Sequence, residues 1–165
     1  MIARIKTFAP PTNRSLAPAT ADRLALLAGS HEDQLSLCDR LEAIANSLPH
    51  GVDRSICAHA GKMLGPHLRN LHEREEAAVF AWTEEKLGDD PSVLTTLGLL
   101  KYEHCEDECF AEELAEVLGR LATADATVNP EAAGYMLRGF FTNLRRHVRF
   151  EQQCFRNLTA DRSGC

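Results

Sequence analysis

The stretch LRGFFTNLRRHVRFEQQCFRNL, residues 137–158, carries an apolar seam in which His147 and Glu151 occupy two positions. Members of the seam recur every three or four residues, which is the period of one α-helical face; they are Leu137, Phe140, Leu144, His147, Glu151, Cys154 and Leu158. Burying an ionised carboxylate in an apolar core is costly unless a cation or hydrogen bonds compensate it. The stretch therefore predicts a helix that directs a histidine and a glutamate toward a compensating partner.

Three further segments have the same period, and each also directs a histidine inward. They run from Asp22 to Leu48 with His31, from about Asp53 to Leu87 with His72 and Glu76, and from Pro91 to about Ala124 with His104. Asp90-Pro91 and Asn129-Pro130 each place an N-cap residue before a proline that suits the first helical turn. Because short loops make neighbouring helices antiparallel, we predict an all-α, up-down-up-down four-helix bundle over residues 21–160, preceded by an extended N-terminal arm over residues 1–20.

Positions along the chain test whether the inward histidines lie at one level of the bundle. In an antiparallel pair, residues at one level are equally distant from the connecting loop. The midpoints between successive histidines fall at 51.5, 88 and 125.5, each within a predicted loop. We therefore predict that His31, His72, His104 and His147 converge with Glu76 and Glu151 in a metal site. Six imidazole and carboxylate ligands exceed the need of one tetrahedral zinc and suit a pair of iron or manganese ions, with iron favoured over zinc.

His72–Glu76 and His147–Glu151 are both H-x-x-x-E motifs, and with His31 and His104 they resemble the cation-binding pattern of hemerythrin-like (HHE) domains over residues 22–158. The resemblance implies that the four histidines are terminal ligands and that Glu76 and Glu151 bridge two iron ions, with an oxo or hydroxo bridge completing the centre. Manganese or another divalent metal is the alternative. In oxygen-carrying hemerythrins the third helix resembles H-x-x-x-H. In this sequence the residue four positions after His104 is Glu108 instead. The ligand set is instead similar to that of bacterial iron-sulfur cluster repair proteins.

The resemblance implies a non-haem di-iron protein that binds or senses dioxygen, nitric oxide or peroxide, or that donates iron in stress response and cluster repair. The alternative is a helical regulatory or interaction module with a structural metal site. A third interpretation is an enzyme that uses the centre for peroxide reduction or oxygenation, although no separate substrate motif is evident. The small ligand, the protein partner and the oligomeric state stay open.

Charge and hydropathy argue against two other classes of function. The net charge is −6 and no basic stripe is evident, so we expect no nucleic-acid partner. The chain contains no apolar run long enough for a membrane helix, and its first 20 residues lack the apolar region of a signal peptide. We therefore expect a cytoplasmic protein with no membrane partner.

Acidic and cysteine residues close to the predicted ligands leave further roles open. Glu73, Glu75, Glu106 and Asp107 are expected to lie mostly on solvated faces, with Asp107 the best candidate for a supporting contact. The sequence leaves open whether Glu108 takes part. We interpret Cys38, which shares a face with His31, and the pair Cys105 and Cys109 as packing residues rather than redox groups.

Overall fold

The computed structural model describes residues 17–160, and every regular element within them is helical. The elements are α1 (Ala17–Ser47), α2 (Arg54–Glu75), a π-helical turn (Glu76–Phe80), α3 (Ala81–Leu87), α4 (Pro91–Ala122) and α5 (Pro130–Ala160). Because α2, the π-helical turn and α3 follow one another without a gap, they form one of four long helical rods. The predicted all-α four-helix bundle is confirmed.

The four rods close into a ring, because α1 packs against α2, α2 against α4, α4 against α5, and α5 against α1. Short connections between successive rods make them antiparallel. Helix α1 already includes residues 17–20 of the predicted arm, and residues 1–16 lie outside the described part of the chain. No helix within residues 17–160 has the length and apolar character needed to span a bilayer.

Both predicted N-cap signals are confirmed by hydrogen bonds at the helix starts. The carboxylate of Asp90 accepts a hydrogen bond from the backbone N–H of Ser92 at 2.9 Å, with Pro91 in the first turn of α4. The side-chain oxygen of Asn129 accepts one from the backbone N–H of Glu131 at 2.9 Å, at the start of α5. These caps satisfy donors that a helix leaves unpaired at its N-terminus.

Two apolar clusters fill the bundle, one on each side of the level at which the four histidines lie. The larger cluster includes Cys38 on α1, Leu68 on α2, Ala111 on α4 and Leu144 on α5. The smaller cluster includes Leu27, Val79, Leu100 and Phe155. On each rod one inward histidine falls between a residue of the larger cluster and a residue of the smaller one. The fold therefore encloses a polar layer between two dry regions.

Candidate metal centre

The polar layer brings together five of the six residues that the sequence predicts as ligands. His31, His72, His104, His147 and Glu151 are each at most 2% exposed. The Nε2 atom of His31 lies 2.9 Å from Oε2 of Glu151, and the rings of His72 and His104 stack with centroids 3.9 Å apart. Together with Glu75, their donor atoms fall into three overlapping groups, and within each group all atoms lie within 4.8 Å of one another.

The sixth predicted residue, Glu76, lies at the edge of this cluster, and its neighbour Glu75 lies inside. The side chain of Glu76 is 36% exposed, whereas that of Glu75 is 0% exposed. Glu75 belongs to two of the three donor groups, one with His72 and His104 and one with His31 and Glu151. The expectation that Glu76 points into the core, and that Glu75 lies on a solvated face, therefore differs from the structure.

The buried seam of α2 explains why Glu75 faces inward. Leu64, Leu68, Leu71 and Glu75 are all buried and follow one another at spacings of four, three and four residues. Because one residue turns a helix by about 100°, Glu76 is rotated out of this seam toward α4. The π-helical turn begins at Glu76 and brings Val79 back to the core. The signal in the sequence that identifies Glu75 is therefore its position at the end of the leucine seam. The H-x-x-x-E motif does not identify it.

Gln34 is a further polar residue of the layer that sequence reasoning did not place in the site. It is 0% exposed, and its Nε2 donates to Oε1 of Glu75 at 2.8 Å. This hydrogen bond orients the Glu75 carboxylate. The periodicity of α1 already places Gln34 on the same face as His31.

In three of the four imidazoles, the Nδ1 atom contacts a carboxylate. The Nδ1 atoms of His72, His104 and His147 lie 2.9, 2.8 and 2.6 Å from carboxylate oxygens of Glu108, Glu76 and Asp107 respectively. An imidazole that donates its Nδ1–H to a carboxylate has a free lone pair on Nε2, and metal-binding histidines are typically held in this way. Asp107 is itself fixed by the side-chain amide of Asn143 at 2.8 Å. Glu76, Asp107 and Glu108 therefore support the site from outside.

Several buried polar atoms in the layer have no hydrogen-bond partner within residues 17–160. They are Nε2 of His72, Nε2 of His104, Oε2 of Glu75, Oε1 of Glu151 and Oε1 of Gln34. Each such atom costs about 1–3 kcal/mol if it stays unpaired. Most are nitrogen lone pairs or carboxylate oxygens, which are the donors that divalent transition metals prefer. The residues therefore fit a bound cation.

A family model described as the hemerythrin HHE cation binding domain matches residues 22–155. The chain belongs to the hemerythrin HHE cation-binding family. No curated protein and no solved structure matches it. As a member of this family it is a metal-binding protein, and its inward His and Glu side chains could hold the metal.

Electrostatics inside this HHE domain keep at least one imidazole neutral. Burial, assisted by the neighbouring His104 and His147, lowers the pKa of His72 to about 2. For His104, burial lowers the pKa, but interactions with the carboxylates of Glu75, 3.4 Å from Nε2, and of Glu76, together with the charge of Glu151, outweigh it, so that the net shift is upward. A metal ligand must be deprotonated. His72 therefore meets this requirement throughout the physiological pH range, while a proton competes with metal at His104.

The cysteines of the domain take no direct part in the donor groups. Cys38 is fully buried one step beyond the polar layer, and burial raises the pKa of its thiol to about 11, so that it is a neutral and unreactive group. Cys105 and Cys109 are exposed, so the expectation that they pack in the core is wrong. They lie on the outer face of α4.

The carboxylate behind His147 gives a testable effect on metal affinity. Asp107→Asn keeps the shape of the side chain but weakens its hold on Nδ1 of His147, so we expect metal affinity to fall by about 10- to 100-fold. The matched control is Glu113→Gln on an exposed turn of the same helix. Competition with a metal-binding dye measures both variants. Equal affinities for Asp107→Asn and the parent chain would show that this contact does not tune the centre.

Proposed function

We propose that this HHE domain is a non-haem di-iron protein whose centre binds dioxygen, nitric oxide or peroxide, or donates iron, in stress response and cluster repair. The observation that carries the proposal is the set of unpartnered nitrogen and oxygen atoms at the centre of the bundle. Within residues 17–160 the partial compensation among them is the approach of Nε2 of His104 to Oε2 of Glu75 at 3.4 Å. Three imidazoles held by carboxylates from behind support the same conclusion.

The sharing of residues between donor groups favours two ions over one. His104 joins one group with His72 and another with His147, and the carboxylates of Glu75 and Glu151 each belong to two groups. We infer that Glu75, Glu151, His31, His72, His104 and His147 would hold the two ions, with the carboxylates of Glu75 and Glu151 available to both. Mixed nitrogen and oxygen ligation suits iron, with manganese as the alternative. A bound pair of irons would supply redox capacity and open positions for a small molecule.

The residues of the chain prepare the site before any small molecule arrives. Asp107, Glu76 and Glu108 fix the orientation of the imidazoles, and Gln34 fixes that of Glu75. The two apolar clusters flank the layer, and its four histidines are each at most 2% exposed. A buried, preorganised site of this kind strengthens electrostatic interactions and limits side reactions.

Exposure of the reduced protein to nitric oxide distinguishes this proposal from a structural metal site. Because the centre is expected to keep an open position, the anaerobic ferrous protein should develop new visible absorption bands on addition of nitric oxide. The zinc-substituted protein serves as a control, since zinc has no redox chemistry. An iron-loaded protein whose spectrum ignores both nitric oxide and dioxygen would favour a helical interaction module with a structural metal.

A further inference from the structure

A cavity of about 460 Å³ opens between α1 and α5 and reaches the polar layer. Five of its nine lining residues are apolar, Leu24, Leu27, Leu35 and Phe155 among them, and the polar His31 and Gln152 also form part of its lining. Glu32 and Arg156 add one charge of each sign. The volume lies within the range of small-molecule binding sites, about 300–1,000 Å³. A diatomic molecule, comparable with a water at about 30 Å³, would fill only a small part of it.

His31 differs from the other three histidines of the centre. Its Nε2 contacts Glu151 at 2.9 Å, but its Nδ1 has no hydrogen-bond partner among the described residues. No carboxylate supports it from behind, whereas Glu108, Glu76 and Asp107 support the other three. The residue is nevertheless 2% exposed. This unpaired Nδ1 is not among the fully enclosed atoms that lack a partner, and it belongs to the residue that joins the centre to the cavity.

We propose that the cavity between α1 and α5 is a binding subsite for an uncharged, largely apolar organic molecule that carries one hydrogen-bond acceptor oxygen. The inference rests on the proposed function, because a His31 that binds metal through Nε2 carries its proton on Nδ1. That N–H is then a donor beside apolar walls, and a ligand oxygen satisfies it. The opposite charges of Glu32 and Arg156 leave no net charge to select an anion or a cation.

The subsite also sets what reaches the metal centre. A molecule seated against Leu27 and Phe155 lies next to His31, whose ring separates the cavity from Glu151. Smaller surface cavities near His104 and His147, of about 250 and 220 Å³, adjoin imidazoles whose Nδ1 is already paired. We therefore infer that a small molecule reaches the metal centre through the α1–α5 cavity rather than through either of these two cavities.

Two probes of similar shape test the proposal by isothermal titration calorimetry on the full chain. Acetophenone carries a carbonyl acceptor, and ethylbenzene lacks it. We expect acetophenone to bind about fivefold more tightly, the value of one neutral hydrogen bond. Ala28→Phe places a ring in the cavity from an exposed position of α1 and should lower acetophenone affinity by at least about tenfold. The matched control is Leu99→Phe, beside the cavity that reaches His147, which should leave affinity unchanged.

The metal content of the same samples is also measured. A failure of the proposed function can then be distinguished from a failure of the proposed subsite. A chain without iron or manganese would overturn the proposed function, and the comparison of Ala28→Phe with Leu99→Phe would still judge the cavity. With metal present, equal affinities for the two probes would overturn the role of the His31 N–H. Binding that Ala28→Phe does not weaken, or no binding of either probe, would overturn the subsite itself.

Discussion

Glu75→Gln is expected to abolish binding of the metal pair, whereas Glu76→Gln is expected to retain it. Glu75 is fully buried and contributes to two donor groups, so the neutral amide removes a negative charge that both groups share. Glu76 contacts only Nδ1 of His104 among these groups, and a glutamine oxygen still accepts that hydrogen bond. Both substitutions conserve side-chain volume, so that loss of metal reports on ligation rather than on folding.

Elemental analysis after metal reconstitution measures the difference, with circular dichroism as the check on helix content. We expect Glu75→Gln to hold less than about one tenth of the parent's metal. For Glu76→Gln we expect full occupancy at saturating metal, with affinity reduced by about 10- to 100-fold. The reverse pattern, with metal lost only from Glu76→Gln, would mean that H-x-x-x-E identifies the ligand on this helix.

Metal removal is expected to lower the thermal unfolding midpoint by about 10 °C. A ligand at 100 to 1,000 times its Kd stabilises the folded state by about 2.7–4.1 kcal/mol, and for a domain of this size each kcal/mol corresponds to about 2–4 °C. Without metal, one oxygen each of Glu75 and Glu151 and the Nε2 atoms of His72 and His104 have no hydrogen-bond partner. The predicted loss of stability follows from the same atoms that carry the functional proposal.

Differential scanning calorimetry with and without a chelator tests this effect. The control is Glu75→Gln, which should unfold at one temperature under both conditions because it binds no metal pair. If chelator left the midpoint of the parent chain unchanged while removing its metal, the polar layer would be self-sufficient. His and Glu side chains would then pair among themselves.

Helical periodicity and capping residues were sufficient to predict the four rods and the common level of the four histidines. Both depend on local spacing, and the antiparallel arrangement converts sequence distance into height. Asp107 was also accessible from the sequence, since it continues the buried seam of α4 through His104. These features needed no knowledge of which rods face one another.

The choice between Glu75 and Glu76 could not be made from the motif alone. Positions three and four residues after His72 both lie near its face, and the leucine seam that ends at Glu75, not the motif, separates them. The π-helical turn after Glu75 has no distinct composition that would have revealed it. The role of Glu108 depended on α4 facing α2, which brings its carboxylate to His72. Long-range packing of this kind is not encoded in the spacing of one helix.

The most direct test of the di-iron centre is the metal content of the aerobically purified chain, together with its near-ultraviolet spectrum. Both are compared with those of a His147→Ala and Glu151→Ala double variant. The double variant removes one imidazole and one carboxylate of the donor groups on α5. We predict close to two irons per chain with an absorption band typical of an oxo-bridged diferric pair, both lost in the double variant. A chain without metal, or with one zinc that the double variant retains, would contradict a di-iron centre in this bundle.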